Sequence, residues 1–205
     1  MGSHGSKIFL LSPASLSGER ARQLLDPGAR FEAARQLRSP EGVPIEEAFT
    51  FLSSLYFRGK IAYARHFAAP PPKLASPELE GGIFVITPGF GLVVPSWPIT
   101  GERIGILRST PVDLKSRSYS EPLREHALAL RERLPAASRV VLLGSIATGK
   151  YVDLLLPVFG DRLVFPRCFV GRGDMSRGSV LLKAVRADEE LEYSTLDIPR
   201  HARRS

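Results

Sequence analysis

Four short apolar runs along the chain end in residues typical of turns. Lys7–Leu11, 82–87, Arg139–Leu143 and 162–165 are rich in Ile, Val, Leu and Phe, and this pattern predicts buried strands. A fifth segment, 190–194, is either a last strand or an extended tail.

Apolar residues at helical spacing fill the segments between these strands. Ser17 is placed to cap a helix whose pattern continues to about Arg38. The apolar positions of 45–56 repeat at helical spacing, and Gly59 is a predicted break before 61–68. The other predicted helices cover 121–134, 151–158 and 175–185.

The alternation of helices with uniformly apolar strands predicts an α/β fold. We expect a three-layer, Rossmann-like arrangement in which helices cover both faces of a mostly parallel sheet of about five strands. The segment 92–118 is the least readable part of the chain, and short strands are predicted there at 93–94 and 104–107.

The composition is that of a globular protein. Of 205 residues, 43% are hydrophobic and 24% are charged, which excludes a disordered chain and a coiled coil. No apolar run approaches the length of a membrane span. We assign residues 7–198 to a single α/β domain, residues 1–6 to a remnant of an expression vector, and residues 199–205 to a basic C-terminal tail.

Cys168 is the one cysteine of the chain. An intrachain disulfide is therefore impossible, which suits a cytoplasmic protein, and a cysteine-based zinc site is excluded. The histidines show no metal-ligand spacing. We expect no metal and no cofactor.

Basic residues outnumber acidic ones, 28 to 21, for a net charge of +7. This excess favours a nucleic acid or a nucleotide as the partner. The charge is spread along the chain, and no single stretch reads as a phosphate clamp.

Small, polar or turn-forming residues follow each predicted strand, as at Ser12, Thr87 and Gly144. In open parallel sheets, ligands bind outside the carboxyl ends of the strands. We therefore predict that these three residues share one pocket with Arg172. The alternative is that they are ordinary turn residues, since every strand must end in a turn.

Residues 144–150 match the first seven positions of the phosphate-binding loop G-x-x-x-x-G-K. Tyr151 stands where that motif needs a small hydroxyl to hold magnesium, and no later strand ends in Asp for the second metal contact. A single phosphate at this helix start, contacted by Lys150, is the favoured interpretation.

The segment 169–178 combines three glycines with Arg172, Asp174 and Arg177. The arginines are candidate anion clamps and Asp174 is the candidate catalytic base. The alternative is a solvated turn with an internal ion pair. The predicted ligand-binding residues are Ser12, Arg58, Lys60, Thr87, Gly89, Gly144, Ser145, Thr148, Lys150, Arg167, Gly171, Arg172, Gly173, Ser176 and Arg177.

Two stretches carry a family resemblance. Residues 84–92 with Pro95, and residues 149–166 followed by Gly171 and Gly173, resemble signatures of uncharacterised YaaA-like bacterial proteins. The chain also resembles small bacterial proteins encoded near ATP-dependent DNA ligases. The resemblance implies a nucleotide or nucleic-acid context and supplies no reaction.

These observations predict a cytoplasmic nucleotide- or nucleic-acid-binding protein in DNA maintenance or modification. Its candidate target is an N-glycosidic or phosphate-ester bond. One alternative is a non-catalytic interaction module with the same anion-binding cleft. Another is a phosphotransferase built on the degenerate phosphate loop.

Overall fold

The computed structural model describes residues 5–53 and 55–196. Most of the predicted vector remnant and all of the predicted basic tail lie outside these residues. Within them, no helix combines the length and the apolar character needed to cross a membrane.

The α/β fold with a mostly parallel sheet is confirmed. The described residues form a six-stranded sheet in the order β4-β3-β1-β6-β7-β8 and a small pair, β2 with β5. The strands are β1 Lys7–Leu11, β2 Val43–Pro44, β3 Ile83–Thr87, β4 Gly91–Val93, β5 Pro98–Ile99, β6 Arg139–Leu143, β7 Leu163–Pro166 and β8 Tyr193–Thr195.

Eight α-helices connect the strands in the described residues. They are α1 Glu19–Leu25, α2 Glu32–Leu37, α3 Ile45–Ser53, α4 Leu55–Phe67, α5 Gly101–Ser109, α6 Arg117–Arg133, α7 Val152–Phe159 and α8 Asp174–Ala187. Short 3-10 helices cover Pro72–Leu74, Pro77–Gly82, Gly160–Arg162 and Arg167–Phe169.

Strands β3, β1, β6 and β7 are parallel neighbours, and antiparallel β4 and β8 close the two edges. Across the sheet, the parallel strands follow one another as β3, β1, β6 and β7, which are the second, first, third and fourth of them along the chain. The chain therefore leads from β1 to β3 on one side of β1, and later to β6 on its other side. This makes the gap between the carboxyl ends of β1 and β6 a topological switch point, where open α/β sheets bind ligands.

Alternate side chains of the sheet enter two separate hydrophobic clusters. Phe9 and Leu11 of β1 pack in a cluster with residues of α1–α4 and α8. Ile8 and Leu10 pack in the other cluster with residues of α6 and α7. Burial on both faces explains why the strands are apolar throughout.

Three predicted elements are wrong, and so is the predicted cap at Ser17, since Gly18 is the N-cap residue of α1 and no side chain caps that helix. Residues 104–107 lie inside α5, since Ile104 and Leu107 are buried one helical turn apart and Thr100 caps the helix by accepting from the Arg103 amide. Gly59 lies within α4 and does not break it. The helix predicted to run from about 19 to Arg38 is two helices, α1 and α2, with a turn around Asp26–Pro27–Gly28 between them.

Gly59 allows helices α4 and α8 to cross at close range. An added Cβ on Gly59 would lie 2.9 Å from the carbonyl oxygen of Gly178, and one on Gly178 would lie 2.8 Å from the backbone of Leu55 and Tyr56. The two helix backbones touch because neither glycine has a side chain. This contact fixes the position of α4, which carries Tyr56 and Lys60, against α8, which carries Asp174.

Candidate functional site

A cleft of about 1140 Å³ opens at the carboxyl ends of the parallel strands. Ser12 follows β1, Pro88 follows β3 and Ser145 follows β6, and all three residues line it. Ser12 and Ser145 are the lining residues that flank the topological switch point. The cleft therefore lies where the strand order predicts a ligand site.

Hydroxyl groups are abundant along the cleft, and its charge is mixed. The lining side chains that bear hydroxyls are Ser12, Ser15, Ser17, Ser53, Tyr56, Ser145 and Tyr151. The lining cations are Arg22, Arg108 and Lys150, and the lining carboxylates are Asp26 and Asp174. Arg22 forms an ion pair with Glu19 at 2.5 Å, which leaves Arg108 and Lys150 as the lining cations without a carboxylate partner among the described residues.

Beneath Ser12 lies a buried lysine. Lys60 is 1% exposed, and its Nζ donates to the carbonyl oxygen of Ser12 at 2.5 Å and lies 3.1 Å from Ser12 Oγ. The Nζ also lies over the rings of Tyr56 and Phe57, 4.4 and 4.9 Å from their centroids. Burial lowers the pKa of Lys60 to about 7, while Asp174 raises it and Arg177 lowers it by smaller amounts.

Tyr56 places a buried hydroxyl at the cleft. The residue is 5% exposed, and within residues 5–53 and 55–196 its hydroxyl has no hydrogen-bond partner. Burial raises the pKa of Tyr56 to about 12, and the nearby charges of Arg177 and Asp174 lower and raise it, respectively. An unpaired buried hydroxyl is costly, so Tyr56 holds an unused donor beside the cleft.

Four of the predicted site residues line the cleft: Ser12, Ser145, Lys150 and Asp174. Asp174 is the first residue of α8, its side chain is 69% exposed, and it lies 3.6 Å from Arg177 in an ion pair. Asp26, the second lining carboxylate, is also exposed. The exposure of Asp174 and its ion pair with Arg177 fit the alternative of a solvated turn with an internal ion pair.

The predicted pocket of Ser12, Thr87, Gly144 and Arg172 forms only in part. Thr87 is buried and donates to the carbonyl of Gly91 in the β3–β4 hairpin. Gly144 packs against Ser12, where an added Cβ would lie 2.9 Å from the serine Cβ. Arg172 is exposed and donates to Ser176. The strand ends share one edge of the sheet, but Ser12 alone of these four residues lines the cleft.

The other predicted ligand-binding residues lie outside the lining. Arg177 is largely buried and holds the carbonyl of Phe169 with two donors, so it supports the loop before α8. Gly89 occupies the β3–β4 turn with φ of +88°. The members of this group that are exposed are Arg58, Thr148, Arg167, Gly171 and Gly173.

The segment that matches the phosphate-loop pattern is a loop over 144–151, and α7 begins after it at Val152. Lys150 lies with its Nζ 5.2 Å from the ring centroid of Tyr151, whose ring is buried in the cluster of α6 and α7. The carboxylate of Asp153 packs against Gly149, where an added Cβ would meet its oxygen at 2.6 Å. The negative charge of Asp153 at this position would repel a polyphosphate bound in the loop.

Sequence reasoning missed Arg22, Arg108 and Tyr56 as lining residues. The periodicity of 45–56 assigned Tyr56 to the core, which is correct for its ring but says nothing of its hydroxyl. Lys60, one turn further on, is among the predicted ligand-binding residues, but it is buried and does not line the cleft. Lys60 falls on the apolar side of α4, at a position where a lysine is rarely found without a polar partner.

In the part of the chain that the structure describes, no three His, Cys, Asp or Glu side chains form a cluster that could hold a metal ion. Comparisons of the chain with protein-family models, with curated proteins and with solved structures found no match.

Proposed function

We propose that the cleft binds a nucleotide or a closely related phosphorylated small molecule. The observation that carries this proposal is the position of a hydroxyl-lined cleft at the switch point, with Lys150 and Arg108 as cations on its lining. Nucleotides bind at this place in many open α/β sheets. Two charge-assisted contacts suit a phosphate, and the serine hydroxyls suit a sugar.

The proposal includes the Rossmann-like, three-layer arrangement predicted above. Support comes from the two hydrophobic clusters, which contain alternate residues of the same strands together with different helices. A cytoplasmic location and a wider role in DNA maintenance or modification stay predictions of the sequence.

Titration with AMP, GMP, CMP and UMP, each compared with its nucleoside, tests the proposal. At least one mononucleotide is expected to bind more tightly than its nucleoside, since the phosphate contacts Lys150 and Arg108. Isothermal calorimetry at low ionic strength measures the difference. Equal affinity for nucleotide and nucleoside, or binding of neither, contradicts the proposal.

Lys150→Ala is expected to weaken mononucleotide binding by about 1–2 kcal/mol, the usual contribution of a charge-assisted hydrogen bond. The melting temperature is expected to stay nearly unchanged, because Lys150 lies in a loop. Lys73→Ala is the matched control, since Lys73 is exposed and outside the cleft. An affinity equal to that of the control removes the 144–151 loop from the site.

Magnesium-dependent ATP hydrolysis is expected to be negligible, and Tyr151→Ser is expected not to create it. The buried ring of Tyr151 occupies the position of the magnesium-binding hydroxyl, and Asp153 lies against Gly149. Phosphate release from ATP, with and without magnesium, is the measurement. Robust turnover by the unmodified protein contradicts this prediction and favours the phosphotransferase alternative.

A further inference from the structure

The contact between Lys60 and Ser12 is unusual chemistry for a protein core. Lysine is rarely buried without a carboxylate partner, and Lys60 has none within ion-pair distance among the described residues. Its Nζ instead lies 3.1 Å from Ser12 Oγ and 2.5 Å from the carbonyl oxygen of the same residue. In the structure the Nζ donates to both oxygens; a neutral amine can keep one N–H on the carbonyl and turn its lone pair to accept from the Ser12 hydroxyl.

Burial makes the neutral form of Lys60 accessible near neutral pH. The rings of Tyr56 and Phe57 enclose the Nζ, and burial lowers the pKa of Lys60 to about 7. Asp174 and Arg177 are the charged groups that act on it, in opposite directions. An amine with a pKa near the working pH is suited to take a proton from a hydroxyl.

Ser12 is buried, with 6% of its surface exposed. It follows β1 at the switch point and lines the cleft, while Lys60 approaches from below. Gly144 has no side chain and so leaves room for Ser12, because an added Cβ on Gly144 would lie 3.2 Å from Ser12 Oγ. Tyr56 lines the same cleft with a buried hydroxyl that has no partner in the described residues. That hydroxyl is available to donate to an oxyanion.

We propose that Ser12 and Lys60 form a nucleophile–base pair that cleaves a carboxylic ester bound in the cleft. Ser12 Oγ bonds to the carbonyl carbon while its proton passes to Lys60 Nζ, and Tyr56 donates to the resulting oxyanion. The C–O bond to the alcohol then breaks, and Lys60 returns the proton to the leaving alcohol. This leaves an acyl-serine.

Water completes the reaction. It attacks the acyl carbon, gives one proton to Lys60 and releases the carboxylic acid, and Lys60 returns that proton to Ser12 Oγ. Ester and water thus give acid and alcohol, with no oxidant, reductant or metal. The proposal goes beyond nucleotide binding and does not depend on it.

A fluorophosphonate probe tests the nucleophile directly. Ser12 Oγ is expected to displace fluoride from phosphorus, and intact mass and peptide mapping locate the adduct. Ser12→Ala is expected to lose labelling, whereas Ser109→Ala, an exposed serine outside the cleft, is expected to label like the parent. The labelling rate is expected to rise with pH and to level off above about pH 7, as Lys60 becomes neutral.

The base is tested with Lys60→Met and the matched exposed control Lys73→Met. Lys60→Met is expected to slow labelling, and hydrolysis of p-nitrophenyl acetate, by about 10²-fold or more, the usual contribution of a general base. Tyr56→Phe keeps the ring and removes the oxyanion donor, so it is expected to lower ester turnover by about 10²-fold and to leave the free energy of unfolding unchanged or higher. This second variant keeps the test informative if Lys60→Met fails to fold.

Three outcomes would overturn the proposal. The first is no labelling of the folded parent protein at pH 9, and the second is an adduct on a serine other than Ser12. The third is equal labelling of the parent and a folded Lys60→Met, which would assign the lysine the structural role of holding the Ser12 carbonyl. If mononucleotides do not bind, labelling of Ser12 is still expected. The two proposals can therefore be contradicted independently.

Discussion

The free energy of unfolding is expected to rise by about 2 kcal/mol between pH 7 and pH 9 through Lys60 alone. The ammonium of Lys60 loses hydration in the folded protein, where its pKa is about 7, and regains it on unfolding, where the pKa returns to its ordinary value of 10.5. Between these values the unfolded chain binds a proton that the folded protein does not. Stability therefore increases with pH across this window and becomes insensitive to Lys60 below it.

The comparison of the parent with Lys60→Met isolates this effect, because other titrating groups are common to both proteins. Urea unfolding at pH 6, 7, 8 and 9 gives the free energies. Relative to Lys60→Met, the parent is expected to gain about 2 kcal/mol of unfolding free energy from pH 7 to pH 9, with little change between pH 6 and pH 7. A constant difference at all four values would mean that Lys60 keeps its charge state throughout, which would also remove it as a base.

Gly178→Ala is expected to destabilise the protein by about 2–3 kcal/mol and to lower its melting temperature by roughly 5–10 °C. The added methyl group would lie 2.8 Å from the backbone of Leu55 and Tyr56. Backbone atoms cannot turn aside as a flexible side chain does, so α4 and α8 must separate. The separation would open the buried surroundings of Lys60.

Gly105→Ala is the matched control for this substitution. Gly105 is also inside a helix, α5, and an added Cβ there would meet nothing within 4 Å. Alanine is expected to stabilise this helix by up to about 1 kcal/mol, because it restricts the unfolded chain and has the higher helix propensity. Thermal melting of the two variants decides the matter. Equal shifts in the two proteins would mean that the α4–α8 contact relaxes without cost.

Sequence reasoning succeeded where a feature depends on near neighbours in the chain. Lys7–Leu11, Arg139–Leu143 and the run that ends at Thr87 form strands, as predicted. The helices predicted at 151–158 and 175–185 match α7 and α8 to within a residue or two. The failure at 104–107 has a physical cause, since a four-residue apolar window fits either period and only the packing of Ile104 and Leu107 selects a helix.

For the candidate site too, prediction succeeded where it depended on near neighbours in the chain and failed where it depended on helix packing. Strand ends converge on one edge of any parallel sheet, so the sequence was enough to place Ser12 and Ser145 near a cleft. It was not enough for Tyr56, which lines that cleft because α4 lies against α8. The sequence also could not show that Arg177 donates to the Phe169 carbonyl and is not free to bind a ligand.

By itself, the sequence determined the α/β class, the mostly parallel sheet and the edge of the sheet at which the cleft lies. Each follows from hydrophobic periodicity and turn residues, which act over a few positions. Only the tertiary structure decided the strand order that sets the switch point between β1 and β6. It also decided the pairing of Lys60 with Ser12 across 48 residues of chain. No local pattern encodes that pairing, because it forms only after α4 has packed over β1 and excluded water from the amine.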